Sequence, residues 1–420
     1  MRECGEHRKL LSVIHRVVAK QSTKPSLRLR VTAAAEKCLR AGHPWVFSNS
    51  IRNQNREGQM GELAILFDRQ DRFLAVGLFD PDSPIRVRIL HVGKALAIDQ
   101  AWWRQRMADA LGRRHGMFDA PTTGFRCING ESDGWPGLVL DRYDNTLVLK
   151  IYSGVWLPRL PEVTALLGTS ERIVLRLSRN IQRTAAEQFK LGDGQVLQGQ
   201  PVTEPVVFME NGWRFEADVL RGQKTGFFLD QRENRRETQA LAAGRKVLNL
   251  FSYTGGFSVY AAGGGAESVC SVDISEHALA GARRNFVLNG SHTAIAQCRH
   301  ETIHADAFLW LQKTSGRRFD LIVLDPPSLA KRESERPQAE NAYAQLIAAS
   351  ISLLRKEGVL LAASCSAHVS APDFFVLARA AARASRRKFE EIKTTRHPAD
   401  HPASFPEAEY LKCIYLRMLD

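Results

Sequence analysis

Arg245-Lys-Val-Leu-Asn-Leu-Phe-Ser-Tyr-Thr-Gly-Gly-Phe-Ser258, followed by Ser268-Val-Cys-Ser-Val-Asp273, limits the possible folds of this chain most sharply. It reads as strand, glycine turn, helix, strand and acid, the order of a mononucleotide-binding βαβ unit. Gly255 and Gly256 let the backbone approach a ligand at the helix N-terminus. Asp273 follows about twenty residues on, the distance that sets a carboxylate opposite ribose hydroxyls. The full G-x-G-x-x-G fingerprint is missing, and a cofactor without a pyrophosphate needs fewer glycines. S-adenosylmethionine is therefore favoured over NAD.

A second segment, Arg318-Phe-Asp-Leu-Ile-Val-Leu-Asp-Pro-Pro-Ser328, is an apolar strand stopped by two prolines, which allow neither strand continuation nor an immediate helix. The chain turns at the carboxyl edge of the sheet, where open α/β sheets bind ligands, so Asp325 is aimed at the crevice of Gly255 and Asp273. An ordinary strand-ending turn is the competing account. Leu360-Leu-Ala-Ala-Ser-Cys-Ser366 brings Cys365 to the same edge beside Asp325. Methyl transfer to C5 of a pyrimidine needs such a thiol, because C5 is not nucleophilic until a thiolate has added at C6. Asp325 would then meet the ring edge at N3. Taken alone, Cys365 also reads as a small buried hydrophobe.

Asp306, after another strand, is placed where an adenine amino group would lie, and a helix N-cap accounts for it equally simply. Lys224-Thr-Gly-Phe-Phe-Leu-Asp-Gln-Arg232 is expected to close over the methionine end of the cofactor, with Asp230 as a helix cap the alternative. His397-Pro-Ala-Asp-His401-Pro offers two imidazoles without metal-ligand spacing; it reads as a substrate-side loop, and no metal is expected.

The formal net charge of +13 points to a polyanionic partner, nucleic acid first, although each arginine cluster by itself reads as a solvated helix face. Seven cysteines without a C-x-x-C pair suggest a reducing compartment, and no apolar run reaches the roughly 18 residues of a membrane span. A cytoplasmic protein without membrane association is expected. Its oligomeric state, a homodimer included, is not readable.

Residues 1–25 read as a flexible basic arm. Residues 26–95 carry short β-type segments and read as a small β-rich domain, and 96–205 as a mixed α/β middle domain ending in a linker at 192–205. Asn211-Gly212 marks a β-hairpin within 206–224. From 225 to 420, strands and helices alternate as in a doubly wound, Rossmann-like parallel sheet, closed by an antiparallel hairpin of the methyltransferase type.

Seven segments in order, His43-Pro-Trp-Val-Phe47, Gly130-Glu-Ser-Asp-Gly-Trp-Pro-Gly137, Lys224 to Arg232, Asn249-Leu-Phe-Ser-Tyr-Thr-Gly-Gly-Phe257, Asp325-Pro-Pro327, Ser364-Cys-Ser366 and Ala399-Asp-His-Pro402, resemble the bacterial ribosomal large subunit methyltransferase I family. The likeness runs from about Ser26 to the C-terminus. It implies a PUA domain, a middle α/β domain with a β-hairpin, and a class I S-adenosylmethionine-dependent domain. It also implies C5 methylation of a cytidine in 23S rRNA, free or in a large-subunit precursor. On that likeness Cys365 matches the nucleophile, and Gln231, Tyr253, Gly255, Asp273, Asp306 and Asp325 match the cofactor or substrate pocket. Ser328, where the family often has lysine, and the run Gly263-Gly-Gly265 depart from the pattern. Methylation of guanine N7 or of another base position, or a non-catalytic RNA-binding role in ribosome assembly, remain the alternatives.

Overall fold

The computed structural model describes residues 25–118, 120–168, 171–314 and 316–420. The arm expected at 1–25 lies outside the described residues except for Pro25. The described residues divide into two compact units, one formed by 25–117, 125–206 and 218–226, the other by 118–124, 207–217 and 227–420.

In the first unit, β1 (Leu27–Val31), β2 (Trp45–Phe47), β3 (Ile51–Gln54), β4 (Leu63–Phe67), β5 (Phe73–Phe79) and β6 (Ile85–Val92) form a sheet in the order β2-β6-β5-β4-β1-β3. The helix α1 (Ala33–Arg40) was not anticipated. Thr32 starts it by accepting from the Ala35 N–H at 3.3 Å, and its Ala35 and Leu39 are buried. The middle region contains α2 (Gln100–Gly112), β7 (Gly124–Asn129), β8 (Leu138–Tyr143), β9 (Thr146–Ile151), α3 (Leu160–Leu167), β10 (Arg172–Leu177), α4 (Arg179–Phe189) and β11 (Val196–Gln198), with strands ordered β11-β10-β9-β8-β7. One expectation is corrected here, and one helix was not anticipated. The stretch 192–205 is not all linker, because β11 pairs antiparallel with β10, and the basic stretch before it forms α4, anchored by buried Ile181 and Ala185. Trp103, Trp135 and Trp156 meet at the centre of this core, with ring centroids 5.0 to 5.6 Å apart. Leu78 and Leu90 of the first sheet belong to the same cluster.

The second unit opens with the hairpin β12 (Val206–Glu210) and β13 (Trp213–Ala217). Asn211 and Gly212 both have positive φ, 50° and 84°, as a two-residue turn of this hand requires. Then come α5 (Arg232–Leu241), β14 (Lys246–Leu250), α6 (Gly256–Gly263), β15 (Ser268–Asp273), α7 (Glu276–Leu288), α8 (Thr293–Gln297), β16 (Arg299–His304), α9 (Ala307–Lys313), β17 (Phe319–Leu324), α10 (Arg336–Ser352), β18 (Leu354–Ser364), α11 (Ala371–Ala384), β19 (Phe389–Thr395) and β20 (Lys412–Met418). The sheet order is β16-β15-β14-β17-β18-β20-β19, parallel throughout except that β20 runs antiparallel to both neighbours. Leu321 to Leu324 and Val359 to Ala363 are runs of fully buried residues, as strands covered on both faces must be. This is the doubly wound sheet the alternation implied.

The glycine-rich end of α6 has a packing reason. A Cβ on Gly263 would lie 2.3 Å from the Trp213 ring, and one on Gly264 2.1 Å from the Gln239 carbonyl oxygen.

Strand order reverses between β14 and β17, so the crevice of the fold opens at the carboxyl ends of these two strands and their neighbours. Every candidate site residue from Gln231 onward belongs to this second unit.

Candidate functional site

After Leu250 the chain leaves β14 through a turn in which Phe251, Tyr253 and Gly255 all have positive φ, at 57°, 47° and 75°. Two of these carry bulky aromatic side chains, a conformation that costs of order 1–3 kcal/mol per residue and persists only where the surroundings hold it. Asp273, half-buried at the end of β15, supplies part of that hold. Its Oδ2 accepts from the Tyr253 N–H at 2.8 Å and its Oδ1 from the Ser275 N–H at 2.9 Å. The carboxylate is thus fixed at the mouth of the turn, and each oxygen keeps a second lone pair.

Gly255 is explained differently from the sequence expectation. A Cβ there would lie 2.8 Å from the Ala282 methyl of α7, and the Gly255 N–H is already donated to the Ser252 carbonyl at 2.9 Å. Gly256 is likewise lined by Phe227 and Arg235. Gly255 permits a left-handed turn, and both glycines permit close packing of protein on protein.

The hydroxyls of Ser252 and Thr254 are buried in this turn without a hydrogen-bond partner among the described residues. Ile274, directly after Asp273, is a large apolar side chain left 66% exposed. An acid, two unspent hydroxyls and an exposed apolar face are the complement of a nucleoside, so these residues fit the adenosyl part of S-adenosylmethionine. Sequence reading missed Ile274. Its position beside the acid was the available signal.

Asp306 realises its simpler account: it is the N-cap of α9, its Oδ1 accepting from the Leu309 N–H at 3.0 Å. It nonetheless stands at the same edge, two residues beyond β16. Gln231 is buried, its Oε1 accepting from Asn234 Nδ2 at 2.6 Å, while Asn234 Oδ1 takes Thr395 and Tyr415 hydroxyls at 2.6 and 2.9 Å. Asp230 does not cap α5 through its side chain. It is buried and accepts from the Tyr410 hydroxyl at 2.8 Å.

In the 397–402 segment, His397 is half-buried and its Nε2 accepts from the Tyr410 and Leu411 N–H groups, each at 3.0 Å, while His401 and Asp400 are fully buried. Both imidazoles brace the loop.

β17 and β18 run parallel with Leu324 opposite Ala362, so Asp325 and Cys365 leave the sheet from neighbouring strands. The serines on either side of Cys365 are fully buried and belong to one hydroxyl cluster. Ser364 Oγ donates to the Tyr343 hydroxyl at 2.9 Å. Ser366 Oγ lies 2.8 Å from that same hydroxyl and 3.2 Å from Ser328 Oγ, and accepts from the Leu329 N–H at 3.0 Å. Ser328, the departure from the family pattern, thus ties the segment after Asp325-Pro-Pro327 to the cysteine turn. Between the two anchored serines Cys365 remains half-exposed, its Sγ 4.0 Å from the Pro326 carbonyl oxygen.

Four of the other thiols are unsuited to chemistry here. Burial pushes Cys127 and Cys270 up to about 12 and Cys298 up to about 11, and raises Cys413 well above its ordinary value. Cys298 also stands just before β16, at the opposite edge of the sheet.

Two segments of the resemblance in the first unit have structural partners. Glu131 accepts from Trp45 Nε1 at 2.8 Å and from Arg88 at 2.7 Å, while Asp133 is held bidentately by buried Arg114 at 2.7 and 2.8 Å. Arg88 and Arg114 are therefore paired with acids inside the protein.

Comparison with known proteins agrees with this architecture. A profile described as S-adenosylmethionine-dependent methyltransferase matches residues 185–417, and one described as PUA-like domain matches residues 29–91. The Ribosomal RNA large subunit methyltransferase of Deinococcus radiodurans is 52% identical over 410 residues, covering 95% of this chain and 99% of that protein. The Ribosomal RNA large subunit methyltransferase I of Shewanella denitrificans is 35% identical over 403 residues, covering 94% and 100%. Among solved structures, a methyltransferase in complex with SAH shares the fold at TM-score 0.77 and 23% identity, covering 93% of this chain and 100% of its own. With a PUA-like domain ahead of a methyltransferase sheet, a site suited to S-adenosylmethionine at its switch point, and this identity over nearly the whole length, the chain belongs to the ribosomal RNA large subunit methyltransferase I family of S-adenosylmethionine-dependent enzymes.

Proposed function

We propose that this enzyme methylates C5 of a cytidine in 23S rRNA, with Cys365 as nucleophile. The observation that carries the reading is the half-exposed thiol of Cys365, held between two anchored serines beside the strand end that bears Asp325. S-adenosylmethionine would supply an electrophilic methyl group, with Asp273 the residue that would hold the ribose hydroxyls and Ile274 and Asp306 those that would hold the adenine. Gln231 and Tyr253 border the methionine side, and Gly255 acts by shaping the turn.

The Cys365 thiolate adds to C6 of the base, and the electron pair displaced from the C5–C6 double bond makes C5 nucleophilic. Asp325, meeting the ring at N3, shares a proton there and offsets the charge that builds on the ring. After C5 has taken the methyl group it loses its hydrogen as a proton, the C6–S bond breaks, and the thiolate is regenerated.

The N-terminal PUA-like domain and the positive net charge of +13 support an RNA substrate, and no helix among the described residues is long and apolar enough to cross a membrane. The name of the Deinococcus radiodurans relative supports the large-subunit RNA as that substrate.

The test is Cys365→Ala together with a 5-fluorocytidine RNA. The variant is expected to bind S-adenosylmethionine with unchanged affinity and to lose turnover, and the wild-type protein to form a covalent complex with the fluorinated RNA through Cys365. Retained methylation by the variant, or methylated N7 guanine in the product RNA, rules the reading out.

A further inference from the structure

Beneath the Ser364-Cys-Ser366 turn lies a lysine that the reaction scheme above does not use. Lys412 opens β20 directly opposite Ser364 of β18 in the antiparallel ladder, and its residue is 1% exposed. Its ammonium donates to the carbonyl of Ser366 and, at 3.1 Å, to that of Tyr410. No carboxylate is ion-paired with it among the described residues. A lysine so enclosed loses its hydration shell, which is costly unless a counter-charge appears nearby.

We propose that Lys412 is a positioning residue for Cys365, its buried ammonium being the charge that favours the thiolate while its bond to the Ser366 carbonyl holds the turn. The proposal rests, for its role in turnover, on the reading of Cys365 as nucleophile. When the S–H bond breaks, its proton leaves to water over the exposed side of Cys365 and the electron pair stays on sulfur, opposite the ammonium. Burial pulls Lys412 down to about 8, and the negative charge of Cys365 works against that fall. The coupling is reciprocal, so the lysine lowers the thiol as the thiolate raises the lysine.

Other ionisable groups stand on the elements packed around the turn. Tyr343 on α10 is raised by burial and bonds both serines, and Tyr410 bonds Asp230. His397 is bonded to the Tyr410 and Leu411 amides, Cys413 is raised by burial, and Asp373 on α11 is paired with Arg336 at the surface. Asp325 leaves the end of neighbouring β17 beside the turn, and no ion pair joins Lys412 to it or to any of these groups among the described residues.

The test measures ionisation without turnover, so that failure of the pairing and failure of the nucleophile reading appear in different measurements. The rate of iodoacetamide labelling at Cys365 is followed against pH by site-resolved mass spectrometry in wild type and in Lys412→Met. The midpoint is expected to rise by at least about one pH unit in the variant, the scale for losing a neighbouring opposite charge. Where Lys412→Met does not fold, 13C NMR of lysine-labelled wild type and Cys365→Ala decides: the Lys412 midpoint should lie lower in Cys365→Ala. An unchanged labelling profile in a folded Lys412→Met protein, or a Lys412 titration indifferent to Cys365→Ala, overturns the proposal.

Discussion

The carboxylate of Asp400 accepts two hydrogen bonds from the guanidinium of Arg232, at 2.6 and 3.0 Å, with both side chains buried. His401 Nδ1 lies 3.0 Å from the same carboxylate. Through this pair the segment that ends in Leu-Asp-Gln-Arg232 is fastened to the loop before β20, which positions both Gln231 and the approach to Lys412. Arg232 also lies over the Phe118 ring, 4.6 Å from its centroid.

Breaking that pair from one side should cost more than removing it. Asp400→Asn or Arg232→Met leaves a buried charge without its partner and is expected to destabilise the protein by about 3–5 kcal/mol. The double variant Arg232→Met/Asp400→Leu should lose less than either single change. Chemical denaturation of the three proteins measures the difference, and a double variant weaker than both singles would contradict the expectation.

Acidification should act in two separate windows. Burial pulls His300, stacked on Phe286 with centroids 3.7 Å apart, down to about 4 from an ordinary 6.5. The unfolded chain then binds the extra proton first, so its contribution is full above about pH 6.5 and is lost as pH falls towards 4. Asp400 is held below the usual carboxylate range by His401 and Arg232 against the opposing effect of burial, so its contribution is full above about pH 4 and falls only below that. Thermal unfolding between pH 7 and 4 should show the first decline in wild type, and His300→Phe should flatten it.

Asp273→Ala is expected to weaken S-adenosylmethionine binding by about 1.5–3 kcal/mol, the scale of hydrogen bonds to a charged group. Part of that loss comes through the turn, because the Tyr253 and Ser275 amides lose their acceptor. Calorimetric titration should therefore find Asp273→Asn, which keeps one acceptor oxygen, between wild type and the alanine variant. Equal affinity in all three proteins would remove Asp273 from the site.

Gly255→Ala should damage the same site by a different route. The added methyl meets Ala282 at 2.8 Å and the residue must hold a φ of 75°, so α6 and α7 have to separate or the turn has to change. Both stability and cofactor affinity are expected to fall, and Ala282→Gly in the same chain should restore part of each. Absence of any rescue would show that contact with Ala282 is not the cause.

RNA binding is expected to weaken steeply with salt, because each phosphate contact releases counterions. Several arginines are already committed to buried carboxylates, Arg114 to Asp133, Arg126 to Asp141 and Arg235 to Glu210. These pairs are neutral and already cancel within the net charge of +13, so the salt slope should follow the number of unburied arginines and lysines that reach phosphates and not the total of 58 basic residues. Fluorescence anisotropy with an rRNA fragment across a salt series reads it directly, and flat affinity would overturn the polyanion reading.

Local pattern determined the parallel sheet, the hairpin at Asn211-Gly212 and the edge at which Asp273, Asp325 and Cys365 gather, because strand runs, turn residues and proline stops are properties of neighbouring residues. α1, β2 and β3 escaped notice, being too short or too mixed to show a period of their own. Only the tertiary structure decided what the site residues touch. It showed Gly255 packed against Ala282, His397 and His401 bracing a loop, and Lys412 brought under the Cys365 turn by the pairing of β18 with β20. Those contacts join residues from about a dozen to nearly fifty positions apart, and side-chain burial and charge pairing at such separations are set by packing that no local pattern encodes.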